Sequence, residues 1–292
     1  MLGPTAAGKS EVALELASRL SAPILSVDSM QVYREMNIGT AKPTRAEQQR
    51  VRHYLIDLVD PSEEYTVAEF QREGRAIIEQ GGHDTVLVVG GSGLHFRALV
   101  DPHTFPPHDP ALRRQLEELD DPASMLNRLD PAAGTLVDLA NRRRVVRALE
   151  IHQLTGLTPS MRYATLEAEK VRRYQPKYRF AAVGLDPGLD LPPRITGRVE
   201  AMAASGLLEE VARLRGRLGP TASRAVGYRQ LLAHLGGQLT LSQAWEEVVR
   251  ATLALARRQR TFFRRDPRIN WLPWDKDPLR RIQGVAERWG LP

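Results

Sequence analysis

The sequence predicts an α/β protein, with a parallel sheet core and a mostly helical insertion domain. Three observations carry this. From Met1 to Asp101, short β-branched runs alternate with helix-period segments, the pattern of parallel strands joined by crossover helices. From Pro102 the strand signal stops, and from Phe180 it resumes. The expected division is therefore residues 1–102 as the first part of the core, 103–179 as the insertion, and 180–292 as a mainly helical second part of the core.

Val12, Leu16 and Leu20, with Ala13 and Ala17, form one apolar stripe and predict the first helix. Residues 24–27 and 86–89 are short apolar runs closed by polar residues or glycine, as buried parallel strands are. A helix is expected over 67–80, stopped by Gly81-Gly82. Pro102, Pro106, Pro107 and Pro110 make a stiff connector without helix or strand period. Short Arg-rich helical stretches follow to about Leu154, then a charged segment over 167–177. Residues 180–185 read as another buried strand, and beyond Leu191 the pattern is helical. The longest helix is predicted to start at Thr240, whose spacing to Gln243 is that of a capping box, and to run to about Arg264.

Composition bounds the function. With 292 residues, 42% hydrophobic and 26% charged, the chain can bury a sizeable core and is not disordered. It contains no Cys, which excludes disulfides, thiolate metal sites and cysteine nucleophiles. No apolar run approaches the roughly 20 residues that span a bilayer, and no basic-then-apolar leader opens the chain. A soluble, cytoplasmic monomer without a membrane partner is expected. Lys and Arg number 41 against 35 Asp and Glu, and only five of the 41 are Lys. Either a polyanionic partner or the codon usage of a GC-rich genome accounts for that excess.

Position decides more than composition does. Gly3-Pro4-Thr5-Ala6-Ala7-Gly8-Lys9-Ser10 satisfies G-x-x-x-x-G-K-[ST] immediately before the predicted first helix. Glycines at those places let successive backbone N–H groups curl around phosphate oxygens, and the helix N-terminus adds partial positive charge. Lys9 is suited to the terminal phosphate, and the Ser10 hydroxyl to Mg²⁺, a hard cation that takes oxygen ligands. The core is accordingly expected to be P-loop NTPase-like. Such a loop normally follows a full strand, yet only Met1 and Leu2 precede Gly3, so upstream residues are expected to complete it.

Asp28, in Ser26-Val27-Asp28-Ser29-Met30-Gln31, stands just past the carboxyl end of a predicted strand, the edge where open α/β sheets bind ligands. It fits a Mg²⁺ ligand, a base aimed at an acceptor, or the cap of a turn, with position favouring the base. The second strand ends in Gly90-Gly91-Ser92-Gly93 without a carboxylate, so the apparatus of a phosphohydrolase looks incomplete. A diphosphate-bearing substrate other than a nucleotide fits better. Arg142, Arg143, Arg144 and Arg147 cluster on one predicted helix; Arg250, Arg257 and Arg264 recur every seventh residue, flanked by Arg258 and Arg265. Both groups fit nucleic-acid phosphates, the alternative being plain solvated surface. The seven His show no metal-binding spacing.

These residues together resemble the bacterial tRNA isopentenyltransferase (dimethylallyltransferase) family almost end to end. The resemblance rests on the loop from Gly3 to Ser10, Asp28 and its neighbours, Ile38-Gly39-Thr40-Ala41-Lys42-Pro43, Val88-Val89-Gly90-Gly91, Arg147-Ala148-Leu149-Glu150, Val226-Gly227-Tyr228-Arg229-Gln230, and the segment from Arg257 to Arg264. It implies transfer of a dimethylallyl group from dimethylallyl diphosphate to the exocyclic amine of the adenosine 3′-adjacent to the tRNA anticodon, with Mg²⁺. In that frame Asp28 matches the base. Gly3 to Ser10 match the diphosphate loop, with Thr5 near the substrate, and Arg198 matches an arginine assigned to the pyrophosphate. Asp28, Ser29, Met30, Gln31, Ser92, Arg113, Arg143, Arg144 and Arg147 match positions meeting the anticodon stem-loop. Three departures stand out: Ser92 replaces a common Thr, Arg143 a common Gln, and His95 a frequent Tyr. The rival readings are an ATP-dependent small-molecule kinase, an adenylate (AMP) prenyltransferase, which would not need an Arg-rich insertion, and a non-catalytic RNA-binding protein, which would leave the phosphate loop unexplained.

Overall fold

The computed structural model describes residues 1–291. It falls into two compact units, Met1–Leu99 with the chain from Phe180 onward, and Val100–Arg179. In chain order the elements are α1 (Lys9–Arg19), β1 (Ile24–Val27), α2 (Arg45–Arg50), β2 (His53–Tyr54), α3 (Val67–Gln80), β3 (Leu87–Gly90) and α4 (Gly93–Val100). Then come α5 (Pro110–Glu117), α6 (Pro122–Leu129), α7 (Arg142–Thr155), α8 (Pro159–Tyr163), α9 (Leu166–Arg172) and β4 (Ala182–Gly184). The chain closes with α10 (Leu191–Ala204), α11 (Leu207–Leu214), α12 (Tyr228–Leu235), α13 (Leu241–Arg264), β5 (Ile269–Trp271) and α14 (Pro278–Trp289).

In the first unit the strands are parallel. β1 lies between β2 and β3, in register Ile24 with His53 and Leu87, and β4 pairs with β5, Ala182 with Ile269. Leu2 joins the two groups by parallel bridges to Gly90 and Gly184; its N–H donates 3.0 Å to Val183 O, and its carbonyl accepts from Leu185 N–H at 3.0 Å. Apolar runs at 24–27 and near 87 form strands as predicted, but β3 starts one residue later than the pattern, and β4 is three residues long where six were expected. β2 and β5 correct the sequence reading, which had no strand at 53 and only helices beyond Leu191. With two and three residues they are too short to show a period, and pairing alone makes them strands.

The helices follow their caps. Thr66 and Glu69 cap α3 reciprocally, and Thr240 and Gln243 do the same for α13. α1 buries Val12, Ala13, Leu16 and Ala17 in one cluster with Ile24, Val89, Val183, Ile282 and Val285, so strands and α14 share its apolar stripe. No helix among the described residues is long and apolar enough to cross a membrane.

One buried carboxylate organises a loop that reaches the cavity described below. Glu210, 2% exposed on α11, accepts the N–H groups of Asn37, Ile38 and Gly39 at 3.0, 2.9 and 3.1 Å and the Tyr228 hydroxyl at 2.5 Å. Burial, and then the charge of Glu210, pushes the Tyr228 phenol up from its ordinary pKa. A Cβ on Gly39 would meet Tyr228 Cε2 at 2.4 Å, which explains a glycine there. Glu210→Gln replaces an acceptor with an amide group that faces N–H donors. It is expected to lower unfolding stability by about 3 kcal/mol, read from denaturant unfolding; a loss within experimental error would show that this carboxylate does not hold the loop.

In the second unit, α5, α6 and α7 pack Leu116, Leu126, Val145, Val146 and Leu149 into one cluster. Asp109, Asp121, Asn141, Thr158 and Thr165 each cap the helix that follows, and Pro110, Pro122 and Pro159 sit in the first turn, where a missing N–H costs nothing. Among its described residues the unit has no strand.

Candidate active site

The turn from Gly3 to Ser10 has backbone only glycine tolerates well at two points. Gly3 has φ +142°, and a Cβ there would lie 2.2 Å from Leu185 O; Gly8 has φ +78° as the N-cap of α1. Ala6 also lies in the left-handed region at φ +61°, strain of the kind functional loops hold. No side chain caps α1, so its first turn is open to an anion. The loop is fastened by side chains from distant elements. Arg194 Nε donates to Ala6 O at 2.7 Å and Trp274 Nε1 to Ala7 O at 3.2 Å, while Thr5 N–H donates to Gln259 Oε1 at 2.8 Å. Arg281, 3% exposed, lies against Gly8 and pairs with Glu11 at 2.9 Å.

A cavity of ≈ 900 Å³ is lined by Thr5 to Ser10, Ser26, Asp28, Gln31, Thr40, Arg198 and Gln259. Lys9 Nζ folds back onto Pro4 O at 2.6 Å. Burial, and next the charge of Arg198, lowers its pKa to about 7 against the opposing pull of Asp28. Arg198, on α10, is half-buried, and among the described residues its guanidinium has no hydrogen bond or ion pair; burial lowers its pKa too, with Asp28 again opposing. Lys9, Arg198 and Asp28 therefore share one cavity, with the Asp28 charge opposing the repulsion between the two cations. Asp28 Oδ1 accepts the Met30 N–H at 2.8 Å, closing a turn as one of its three sequence readings allowed, and Oδ2 is bonded to nothing among the described residues. Ser10 is exposed at the same cavity. A smaller recess of ≈ 60 Å³ shares Thr5 and Arg198 and is otherwise mostly apolar, with Val199, Met202, Leu207 and Val248 among its walls.

The residues around Asp28 divide. Met30 packs against the core of Val32, Tyr33 and Leu207, and Ser29 is half-buried. Gln31 Oε1 accepts the Ser26 hydroxyl at 2.7 Å, and its amide hydrogens go to Thr40 O and Ala41 O at 3.2 Å each. One Oε1 lone pair is what Gln31 has left for a partner. Lys42, in the same loop, is buried on Tyr33 O and Asp57 at 2.6 and 2.5 Å and serves the fold. Ser92 Oγ lies 2.7 Å from His95 Nδ1.

The arginines are less free than the sequence implied. In the second unit Arg113, Arg143, Arg144, Arg147 and Arg162 line a cleft of ≈ 490 Å³. Arg147, however, donates to Pro106 O and Pro107 O at 2.9 Å each and pairs with Glu150 at 2.8 Å, so it braces the proline connector. Arg113 pairs with Glu117 at 3.4 Å, and Arg142 holds Glu117 O and Leu119 O. Arg143 and Arg144 are exposed and unpaired among the described residues. On α13, Arg250 pairs with Glu247, and Arg260 and Arg264 both pair with Asp186, at 2.6 and 3.0 Å. The seven-residue stripe is thus partly neutralised, because Asp186 is distant in sequence and near in space. Arg257, Arg258 and Arg265 keep exposed heads without a partner among the described residues.

Sequence reasoning missed Arg194, Gln259, Trp274, Arg281 and Glu210. Arg194 carried a signal, four residues before Arg198 and so on the same helix face. Gln259 lay inside a segment noticed only for its arginines.

The model of the IPP transferase family matches residues 31–266. A tRNA dimethylallyltransferase of Nocardioides sp. is 44% identical, covering 98% of this chain and 94% of that protein. Among solved structures, a tRNA isopentenylpyrophosphate transferase of Bacillus halodurans is 33% identical with a TM-score of 0.69, covering 99% of this chain and 95% of that one. The corresponding enzyme of Staphylococcus epidermidis is 28% identical with a TM-score of 0.71, covering 99% and 97%. With most of its length matched by the family model and nearly all of it by such relatives, the chain belongs to the IPP transferase family.

Proposed function

We propose that the protein transfers a dimethylallyl group from dimethylallyl diphosphate to the exocyclic amine of the adenosine 3′-adjacent to a tRNA anticodon, releasing diphosphate, as a cytoplasmic monomer on a P-loop NTPase-like core. The observation that carries this is one cavity holding the glycine turn, Lys9, the uncommitted Arg198 guanidinium and the uncommitted Asp28 Oδ2. Family membership separates it from the kinase and adenylate readings.

The reaction needs three things from these residues. The allylic C–O bond breaks with its electron pair leaving on diphosphate, so negative charge grows on oxygens that Lys9, Arg198 and the open start of α1 are placed to receive. The adenine amine is a poor nucleophile because its lone pair is delocalised into the ring; as its nitrogen bonds the allylic carbon, a proton leaves it for Asp28 Oδ2. The apolar recess beside Thr5 and Arg198 suits a short branched hydrocarbon. Ser10 would offer a hydroxyl to Mg²⁺ at this cavity. Its exposed hydroxyl at the head of α1, beside the glycine turn, is a hard oxygen ligand of the kind Mg²⁺ takes. When bound, Mg²⁺ would add charge stabilisation on the leaving group. Arg143 and Arg144, with Arg113 and Arg162 in their cleft, offer cations to the phosphates of an anticodon stem-loop, whose unpaired bases leave the stack at lower cost than in a duplex.

The test is to incubate the protein with dimethylallyl diphosphate labelled in the allyl group and an anticodon stem-loop. Label is expected on the amine of the adenosine 3′ to the anticodon, with one diphosphate released per label; label on free AMP only, or phosphoryl transfer from ATP, overturns the reading.

A further inference from the structure

His95 has no role in that account, yet its surroundings fix it closely. Ser92 N–H donates to Val27 O at 3.1 Å, which ties the serine to the strand whose next residue is Asp28. Ser92 and His95 are three residues apart across the start of α4, with Ser92 Oγ 2.7 Å from His95 Nδ1. The ring is held from the other direction by Phe70, packed edge to face at 86° with centroids 4.7 Å apart. Burial lowers the His95 pKa to about 4 against the pull of Asp28, so the imidazole is neutral, with one donor and one acceptor nitrogen. A serine hydroxyl without such an anchor samples three staggered positions; bonded to a ring packed on Phe70, it favours one.

We propose that His95 is a positioning residue: it holds the Ser92 hydroxyl in one orientation at the strand end that carries Asp28, so the incoming amine meets a hydroxyl already in place. This inference rests on the transferase reading. It places a polar duty on a residue whose packing alone would suit any flat ring. Pre-orientation of one hydroxyl acts on the chemical step more than on substrate binding.

The experiment measures label transfer to the stem-loop for the wild type, His95→Leu, His95→Asn, Ser92→Ala and the double variant Ser92→Ala/His95→Leu, with the thermal midpoint of each. His95→Leu is expected to lower kcat about tenfold with KM for either substrate within about twofold. His95→Asn, whose amide can replace Nδ1, should stay within about threefold of wild type, and the double variant should be no slower than Ser92→Ala, because both act through one hydroxyl. Losses that multiply in the double variant overturn the proposal. So does a loss of kcat shared by the Leu and Asn variants, with or without a fall in thermal midpoint, since that would assign His95 to packing. Absence of transfer by the wild-type protein overturns the transferase reading and this inference with it, whereas transfer with multiplying losses overturns the inference alone.

Discussion

Asp28→Asn is expected to lower the rate of transfer by roughly 10²–10⁴-fold, the range for removing a general base, while affinity for the stem-loop changes less than about threefold. The substitution is chosen because it separates the three readings of this residue. Asparagine closes the same turn as aspartate, its Oδ1 accepting the Met30 N–H in place of the 2.8 Å bond, so a residue that only shaped the turn would tolerate it. A Mg²⁺ ligand would lose activity that excess Mg²⁺ restores. A base loses its proton acceptor outright, and no metal concentration returns it. The donor should bind the variant at least as well as wild type, because Asp28 is the one negative charge acting on both Lys9 and Arg198. Single-turnover transfer with both substrates saturating, repeated over a range of Mg²⁺, gives the answer; near-wild-type turnover would remove Asp28 from the chemistry.

That Asp28 and Lys9 meet was legible in the sequence because both sit on short, regular connections. The glycine turn runs straight into α1, and Asp28 follows β1, whose four buried residues leave little choice of direction. Arg198 was reached only through resemblance. Nothing local marks it, and its placement depends on how α10 packs against α13. The residues that fasten the loop, Gln259, Trp274 and Arg281, were invisible for the same reason, each lying more than 250 positions away from its partner in the turn or on Glu11. The Arg-rich stripe of α13 was misjudged in a more instructive way. The stretch from Arg250 to Arg268 holds seven arginines and one acid, Asp266, whereas Asp186 arrives from the segment after β4 and takes two of those arginines. Arg147 was misjudged likewise, since only the fold reveals that Pro106 and Pro107 turn their carbonyls to it. Periodicity and caps, being local, carried the helices well; ion pairing and loop support, being long-range, could not be read.

Arg198→Ala should reduce kcat/KM for dimethylallyl diphosphate by about 10²–10³-fold, the loss typical of one removed donor to a developing oxyanion. The argument rests on what this guanidinium does not do. Arg260 and Arg264 are neutralised by Asp186 and Arg147 by Glu150, but Arg198 is half-buried in the cavity with no hydrogen bond or ion pair among the described residues. An arginine without a hydrogen bond or ion pair in such a place is one that the diphosphate of the proposed donor would find uncommitted. Its planar fork can bridge two diphosphate oxygens, which an ammonium cannot, so Arg198→Lys should recover no more than about tenfold. Ground-state binding should suffer less than the chemical step. Arg198 is one of the influences that lower the Lys9 pKa, and in its absence Lys9 keeps its proton more firmly and continues to hold the donor. The deficit then falls mainly on kcat, where charge on the leaving oxygens is greatest. Initial rates with dimethylallyl diphosphate varied at saturating stem-loop, set beside the stem-loop KM, make the division visible. A loss confined to the stem-loop KM would place Arg198 on the nucleic acid and leave the leaving group to Lys9 and the amides of the glycine turn.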